Sequence, residues 1–204
     1  MKLVLATRNL GKVKELTAMI SAERRHKDVQ ILSLQDFPDA PDVVEDGDTY
    51  QANASKKATV IADFTGLRTL ADDAGLEVNA LKGAPGIHSK RWAGDDVTDD
   101  VRIQKLLEAI EGVTDRGARF VAAIALADPK KTHNNYSHKS DRVQVVIGRC
   151  EGHIINEPIG DSGFGYDPIF VPVGFDKTFA ELGEEIKNRI SHRGKALRSA
   201  LKLL

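Results

Sequence analysis

The sequence predicts an α/β fold, a mixed twisted sheet with flanking helices, and three observations carry that expectation. Strand-like apolar runs alternate along the chain with segments whose apolar residues recur at helical spacing. The run Phe120 to Ala127 is long, apolar and built of small residues, which suits a strand buried on both faces. Hydrophobic residues make up 41% of the 204 residues, enough to fill the core of one generous domain or two small lobes.

The elements follow in order. Leu3 to Ala6 reads as a strand that breaks into Thr7, Arg8, Asn9, Leu10, Gly11 and Lys12, after which Val13, Leu16, Met19 and Ile20 fall at helical spacing. A charged turn, Glu23 to Asp28, precedes a second strand marked by Val29, Ile31, Leu32 and Leu34, and the Pro- and Asp-rich stretch Asp36 to Asp48 is a loop. Tyr50, Ala54, Ala58, Ile61 and Ala62 describe a helix capped by Thr49 or Asp48 and ending near Gly66. Arg68 to Ala71 leads into the acids Asp72 and Asp73, where an apolar strand is expected to end and Gly75 to permit a turn. Leu76, Val78 and Ala80 then alternate as another strand, and Gly83 to Gly86 begins a loop that runs through Gly94. Thr98 to Ile110 is amphipathic. Arg142 to Ile147 alternates as the neighbour of Phe120 to Ala127, with a polar tip, Pro129 to Ser140, between them. His133 and His138 in that tip have no carboxylate or cysteine beside them and read as part of a solvated loop rather than a metal site. After a Gly-rich stretch, Gly160 to Asp167, come two helices, the first with Thr178 and Glu181 as a capping box and the second capped by Ser191 and striped by Ala196, Leu197, Ala200, Leu201 and Leu204. There is no repeat and no long linker, so residues 1–204 read as a single domain.

Charge and cysteine content narrow the function. With 29 basic and 30 acidic residues the formal charge is -1, so no basic field draws the chain to a nucleic-acid backbone, and any nucleotide it handles is small and free. Cys150 is the only cysteine, which excludes an internal disulfide or a Cys-rich zinc site, fits a reducing compartment and suits a small core residue. The first apolar run is cut short by Arg8 and Asn9, too early for a signal peptide or a membrane span, and the expected location is cytoplasmic.

Four segments can carry chemistry. A strand, the short polar turn Thr7 to Lys12 and a helix start make a place for phosphate, because the open amides and positive dipole end of the helix favour an anion. Thr7 and Asn9 add hydrogen-bonding side chains and Lys12 a mobile cation, although Asn9 also reads simply as a helix cap; a Walker A loop is excluded by Val13 after Lys12. Asp72 and Asp73 repel each other unless a cation neutralises them, and Mg2+, with Glu45 as a further ligand, would do so; the pair can equally cap a turn. In Gly163, Phe164, Gly165, Tyr166, Asp167 and Pro168, Phe164 and Tyr166 offer faces for a base while Asp167 helps choose it, or the aromatics merely pack on the core. Lys187, Ser191, His192 and Arg193 cluster basic groups at a helix start, against the dipole preference.

Taken in order, Leu5 to Lys12, Ala71 to Leu76, Gly83 to Arg91, Gly163 to Pro168 and Ile190 to Gly194 resemble the inosine triphosphate pyrophosphatase family, the first of these fitting its pattern T/S-x-N-x-x-K. The resemblance covers nearly the whole chain. It implies two lobes around a nucleotide cleft, usually in a homodimer, and hydrolysis of ITP, dITP or XTP to the monophosphate and pyrophosphate with Mg2+. By the same resemblance Thr7, Arg8, Asn9, Leu10, Gly11 and Lys12 bind the triphosphate, Glu45 and Asp73 bind the metal, and Asp73 accepts the proton of the attacking water. Ala74, Phe164, Gly165, Tyr166, Asp167, Lys187, His192 and Arg193 complete the nucleotide site. The chain departs from the bacterial pattern at Ala52, where Glu is usual before Asn53, and at Ala74, where Ser is more familiar. A Maf-like pyrophosphatase of modified pyrimidine nucleotides and a nucleotide-binding protein without turnover are the alternatives; the Ser, His, Arg ending favours the first reading over the Maf-like one, and Asp73 together with Glu45 favours catalysis over sensing.

Overall fold

A computed structural model describes residues 1–130 and 142–204, so the two histidines of the polar tip lie outside the described residues. Strands β1 (Lys2–Leu5), β2 (Gln30–Ser33), β3 (Thr69–Val78), β4 (Gly117–Ala127), β5 (Val143–Ile154) and β6 (Phe170–Pro172) form one sheet in the order β2-β1-β3-β4-β5-β6. β1 runs parallel to β2 and β3, with Leu3 beside Ile31 and Leu5 beside Leu70, whereas β5 and β6 are antiparallel. The sheet is therefore mixed, as the alternation of elements predicted. Helices α1 (Leu10–Ala22), α2 (Tyr50–Thr65), α3 (Asp99–Ala109), α4 (Phe179–Ile190) and α5 (His192–Ala200) complete the fold.

Local chemistry explains most of the boundaries. Thr49 caps α2 by accepting from the Ala52 amide, and Gly66, in the left-handed region at φ 67°, ends it. Thr178 and Glu181 form the expected capping box of α4, and Ser191 Oγ accepts from the Gly194 amide at the start of α5. β4 is buried along most of its length, from Phe120 to Ala127 without interruption, as its small apolar residues require.

Three expectations fail around the acids. β3 runs unbroken from Thr69 to Val78, so Asp72 and Asp73 lie inside a strand and not at its end, and the supposed second strand is its continuation, closing at Val78 in a 3-10 turn that takes in Ala80. Gly75 makes no turn. A Cβ there would fall on the Gly86 carbonyl oxygen and 2.7 Å from Ser89 Oγ, so the glycine serves the close approach of another segment.

The chain divides into two compact units, Met1–Asp73 with Ala123–Ile147 and Ala196–Leu204, and Ala74–Ala122 with Gly148–Lys195. The first buries Leu3, Val4, Leu5, Leu16, Ile20, Ile61 and Leu70. The second has a core of Leu76, Val78, Leu106, Phe120, Tyr166, Phe170 and Phe179, and the lone Cys150 belongs to it as the small core residue expected. Among the described residues no helix is long and apolar enough to cross a membrane.

Candidate active site

In the first unit the turn Thr7 to Lys12 is built as a cap. Thr7 Oγ1 accepts from the Asn9 amide and Asn9 Oδ1 from the Lys12 amide, each at 3.1 Å, so the plain capping role of Asn9 is real and holds the turn in shape. Lys12 is less mobile than its sequence suggested, because its Nζ lies 2.8 Å from Asp72 Oδ2. Arg8 turns to the acidic loop, donating from Nε to Asp42 at 3.1 Å and from Nη2 to the Ala40 carbonyl at 2.9 Å. It straps the segment that carries Glu45.

Successive residues of a strand face opposite sides, so Asp72 and Asp73 do not confront each other as a pair. Each has its own lysine. Asp72 takes Lys12, and Asp73 Oδ1 stands 3.7 Å from Lys57 Nζ. Lys57 also donates to the Asp72 carbonyl at 2.9 Å and pairs with Glu45 Oε1, which gathers Glu45, Lys57 and Asp73 around one point. Asn53 joins them. Its Oδ1 accepts from the Gly47 amide at 2.8 Å, and its side chain hydrogen-bonds Asp73.

Neither Lys57 nor Asn53 was anticipated from the sequence. The signal was present, since both occupy the buried stripe of α2 with Tyr50, Ala54, Ala58, Ile61 and Ala62, where a polar residue at the period of an apolar face demands a partner. Ala52, the departure from the bacterial pattern, is exposed, and its Cβ faces Gly47 of the acidic loop beside Asn53: a Cβ added at Gly47 would lie 2.8 Å from Ala52 Cβ and 2.8 Å from Asn53 Oδ1.

Burial pushes the Asp73 carboxyl above the usual carboxylate range; Lys57 opposes the rise, Glu45 adds to it, and Lys12 and the Asn53 hydrogen bond pull back without cancelling it. Asp73 Oδ2 is buried and has no hydrogen-bond partner. Mg2+ takes one or two carboxylates and keeps several waters, so an open buried oxygen on Asp73 beside Glu45 fits that ion's donor set. Among the described residues there is no larger cluster of three or more His, Cys, Asp or Glu side chains placed to hold a metal.

The second unit gathers the other predicted residues. Asp167, buried, accepts from Lys187 Nζ at 2.6 Å and from the Phe164 amide at 2.9 Å through the same oxygen. Gly163, at φ 86°, leaves room for that oxygen, which a Cβ would strike. Lys187 Nζ lies 4.7 Å and Arg193 Cζ 5.5 Å from the centre of the Phe164 ring. His192 stacks on Phe120 at 4.7 Å with the rings 10° apart.

Tyr166 departs from its expected place as a second face for a base. It is 4% exposed, its hydroxyl donates to the Ser89 carbonyl at 2.9 Å, and its ring packs in the core. Burial pushes its phenol far up, so it stays protonated and keeps that bond.

Comparison with known proteins identifies the family. The model of the Ham1 family matches residues 3–203. The dITP/XTP pyrophosphatase of Desulforamulus reducens is 48% identical over 206 residues, covering 100% of this chain and 96% of that protein, and that of Geobacter sulfurreducens is 44% identical, covering 96% and 92%. Among solved structures, a HAM1 protein from Coxiella burnetii aligns with a TM-score of 0.84 at 40% identity over 100% of this chain and 98% of its own. A nucleoside-triphosphatase / dITP/XTP pyrophosphatase from Mycobacterium abscessus aligns with a TM-score of 0.73 at 40% identity, covering 98% and 99%. With the family model spanning residues 3–203 and relatives this similar along the whole chain, the chain belongs to the Ham1 family.

Proposed function

We propose that this chain, acting as one domain over residues 1–204, hydrolyses ITP, dITP and XTP to the nucleoside monophosphate and pyrophosphate. Water attacks the α-phosphorus, the bond from that phosphorus to the oxygen bridging the α- and β-phosphates breaks, and pyrophosphate leaves while the water oxygen stays on the monophosphate. Asp73 takes the water's proton. Its placement carries the reading: a strand-borne carboxyl, raised by burial, with one buried oxygen that no hydrogen bond uses. Glu45 and Asp73 would hold Mg2+, which supplies charge for the phosphates and a more acidic water.

The turn Thr7 to Lys12 takes the phosphates, with Arg8, Leu10 and Gly11 shaping it. Phe164 carries the purine on its ring, while Gly165, the backbone of Tyr166 and Asp167 hold that ring in place and Ala74 offers its backbone. Lys187, Ser191, His192 and Arg193 provide donors to the 6-keto edge; with adenine those donors meet an amino group and lose their partner. The enzyme works as a cytoplasmic homodimer on free nucleotides. Pyrophosphate and phosphate release measured with ITP, XTP, GTP and ATP under one Mg2+ concentration tests this. Pyrophosphate as the sole inorganic product and kcat/KM for ITP at least about 100-fold above ATP are expected, with GTP rejected less strongly. Stepwise release of phosphate, or equal values for ITP and ATP, overturns it.

A further inference from the structure

Phe164 is fixed by carboxylates on both of its peptide planes. Its own amide donates to Asp167 Oδ2 at 2.9 Å, and the next amide, Gly165 N, donates to Asp99 Oδ2 at 2.6 Å. Because a peptide unit is planar, holding the Gly165 N–H sets the rotation on the carbonyl side of Phe164, just as holding its own N–H sets the other side. Gly165 sits at φ 64°, a conformation open to glycine, so the chain can leave the held peptide plane in the direction the loop takes.

Asp99 is itself held from behind. Its second oxygen, Oδ1, pairs with Arg102 Nη1, and that guanidinium also donates from Nε to the Lys90 carbonyl at 2.7 Å and from Nη2 to the Val97 carbonyl at 2.6 Å. The Arg102 side chain is 13% exposed and that of Asp99 41%, so the guanidinium is held within the protein while the acid keeps some contact with water. An acid in the first turn of a helix ordinarily complements the dipole. Here both of its oxygens are committed to other groups, one of them the loop that carries Phe164.

We propose that Asp99 is a positioning residue for base selection: by anchoring Gly165 to α3 it sets the pose of the Phe164 ring. The assignment rests on the functional reading above. Asp99 touches no substrate atom and acts only through the loop.

The test compares Asp99→Ala, Asp99→Asn and Arg102→Ala with the unaltered chain, measuring kcat and KM for ITP and ATP with Mg2+, the melting temperature, and the amide proton resonance of Gly165. Asp99→Ala should raise KM for ITP about 10-fold, the scale of one hydrogen bond to a charged group, with a smaller change in kcat. The ITP-to-ATP ratio of kcat/KM should fall by a similar factor, and the Gly165 amide proton should move upfield. Asp99→Asn keeps an oxygen that can accept from Gly165 and should recover most of the loss. Arg102→Ala, which leaves the acid in place but unbraced, should shift KM in the same direction by less. A purely structural role lowers the active fraction and the melting temperature while KM and the substrate ratio stay put; that outcome, or an unmoved Gly165 resonance, overturns the proposal. If the unaltered chain prefers ITP and Asp99→Ala keeps that preference, the assignment of Asp99 fails alone. An unaltered chain with no preference for ITP over ATP sinks the functional reading and Asp99 with it.

Discussion

Replacing Gly75 by alanine tests how tightly the acid strand is held. The added Cβ would strike the Gly86 carbonyl oxygen and stand 2.7 Å from Ser89 Oγ and 3.0 Å from the Gly86 carbonyl carbon. Backbone lies on one side and a committed hydroxyl on the other, so there is no flexible side-chain end to swing away. Ser89 Oγ donates to the Gly86 carbonyl at 2.6 Å and accepts from the Leu76 amide at 2.8 Å, and the intruding methyl must spread both bonds. Overpacking costs roughly 1–3 kcal/mol, and leaving the buried Leu76 amide without its acceptor adds roughly 1–3 kcal/mol. A loss of about 2–6 kcal/mol lowers the melting temperature of a chain this size by roughly 4–24 °C. Because Gly75 stands two residues beyond Asp73 on β3, kcat for ITP should fall as well, even at temperatures where the variant is fully folded. Thermal melting followed by circular dichroism and a pyrophosphate-release assay at 20 °C read the two effects. Melting within about 2 °C of the unaltered chain together with undiminished turnover would refute the close-packing account.

Asp73→Asn should lower turnover of ITP roughly 100-fold or more while nucleotide still binds in calorimetry, and near-normal turnover would place the base elsewhere. Lys57→Met leaves Glu45 and Asp73 facing each other without their shared cation, so it should destabilise the chain by about 3–5 kcal/mol without metal. Mg2+ should then raise the melting temperature of the variant more than that of the unaltered chain, and an equal gain in both would count against the pairing of those acids. For Asp63, burial raises the carboxyl, but the hydrogen bond and charge of Arg142 and the Lys130 amide more than reverse this and hold it below its ordinary value of 3.8. A depressed carboxyl stabilises the fold above the unfolded-state pKa and loses that contribution as pH falls toward its folded value. Asp63→Asn should therefore cost roughly 1–3 kcal/mol in urea unfolding at pH 7 and progressively less below about pH 4; an undiminished cost on acidification would contradict it.

The legible parts of this fold are those that local spacing determines. The stripes of α1, α2 and α5, the caps at Asn9, Thr49 and Thr178, and the apolar run of β4 each need only a few neighbouring residues to declare themselves. β3 was hidden because Asp72, Asp73 and Gly75 are poor strand formers, and they are tolerated there only through Lys12, Lys57 and Ser89, which come from distant parts of the chain. Most of β5 escaped for another reason. Its inward residues past Ile147 are Gly148, Cys150, Gly152 and Ile154, mostly too small to show the alternation that burial reveals. At the candidate site the turn Thr7 to Lys12, both acids, Glu45 and the basic cluster were readable as residue types. What composition could not convey was which cation answers which acid, that Tyr166 faces the core, or that Asp99 reaches Gly165.

The unbroken course of β3 gives the two acids proposed to hold the metal different dynamic characters. Asp73 sits in mid-strand, so its backbone freedom is surrendered when the sheet forms and nothing remains to be ordered at that position when a nucleotide arrives. Glu45 belongs to an irregular stretch between Phe37 and Thr49, tied by Arg8 to Asp42 and Ala40 and by its own contact with Lys57. One carboxylate is a fixed post and the other a tethered arm. Were Mg2+ held by these acids as proposed, Asp73 would offer a carboxylate placed at folding and Glu45 one whose placement is completed on binding.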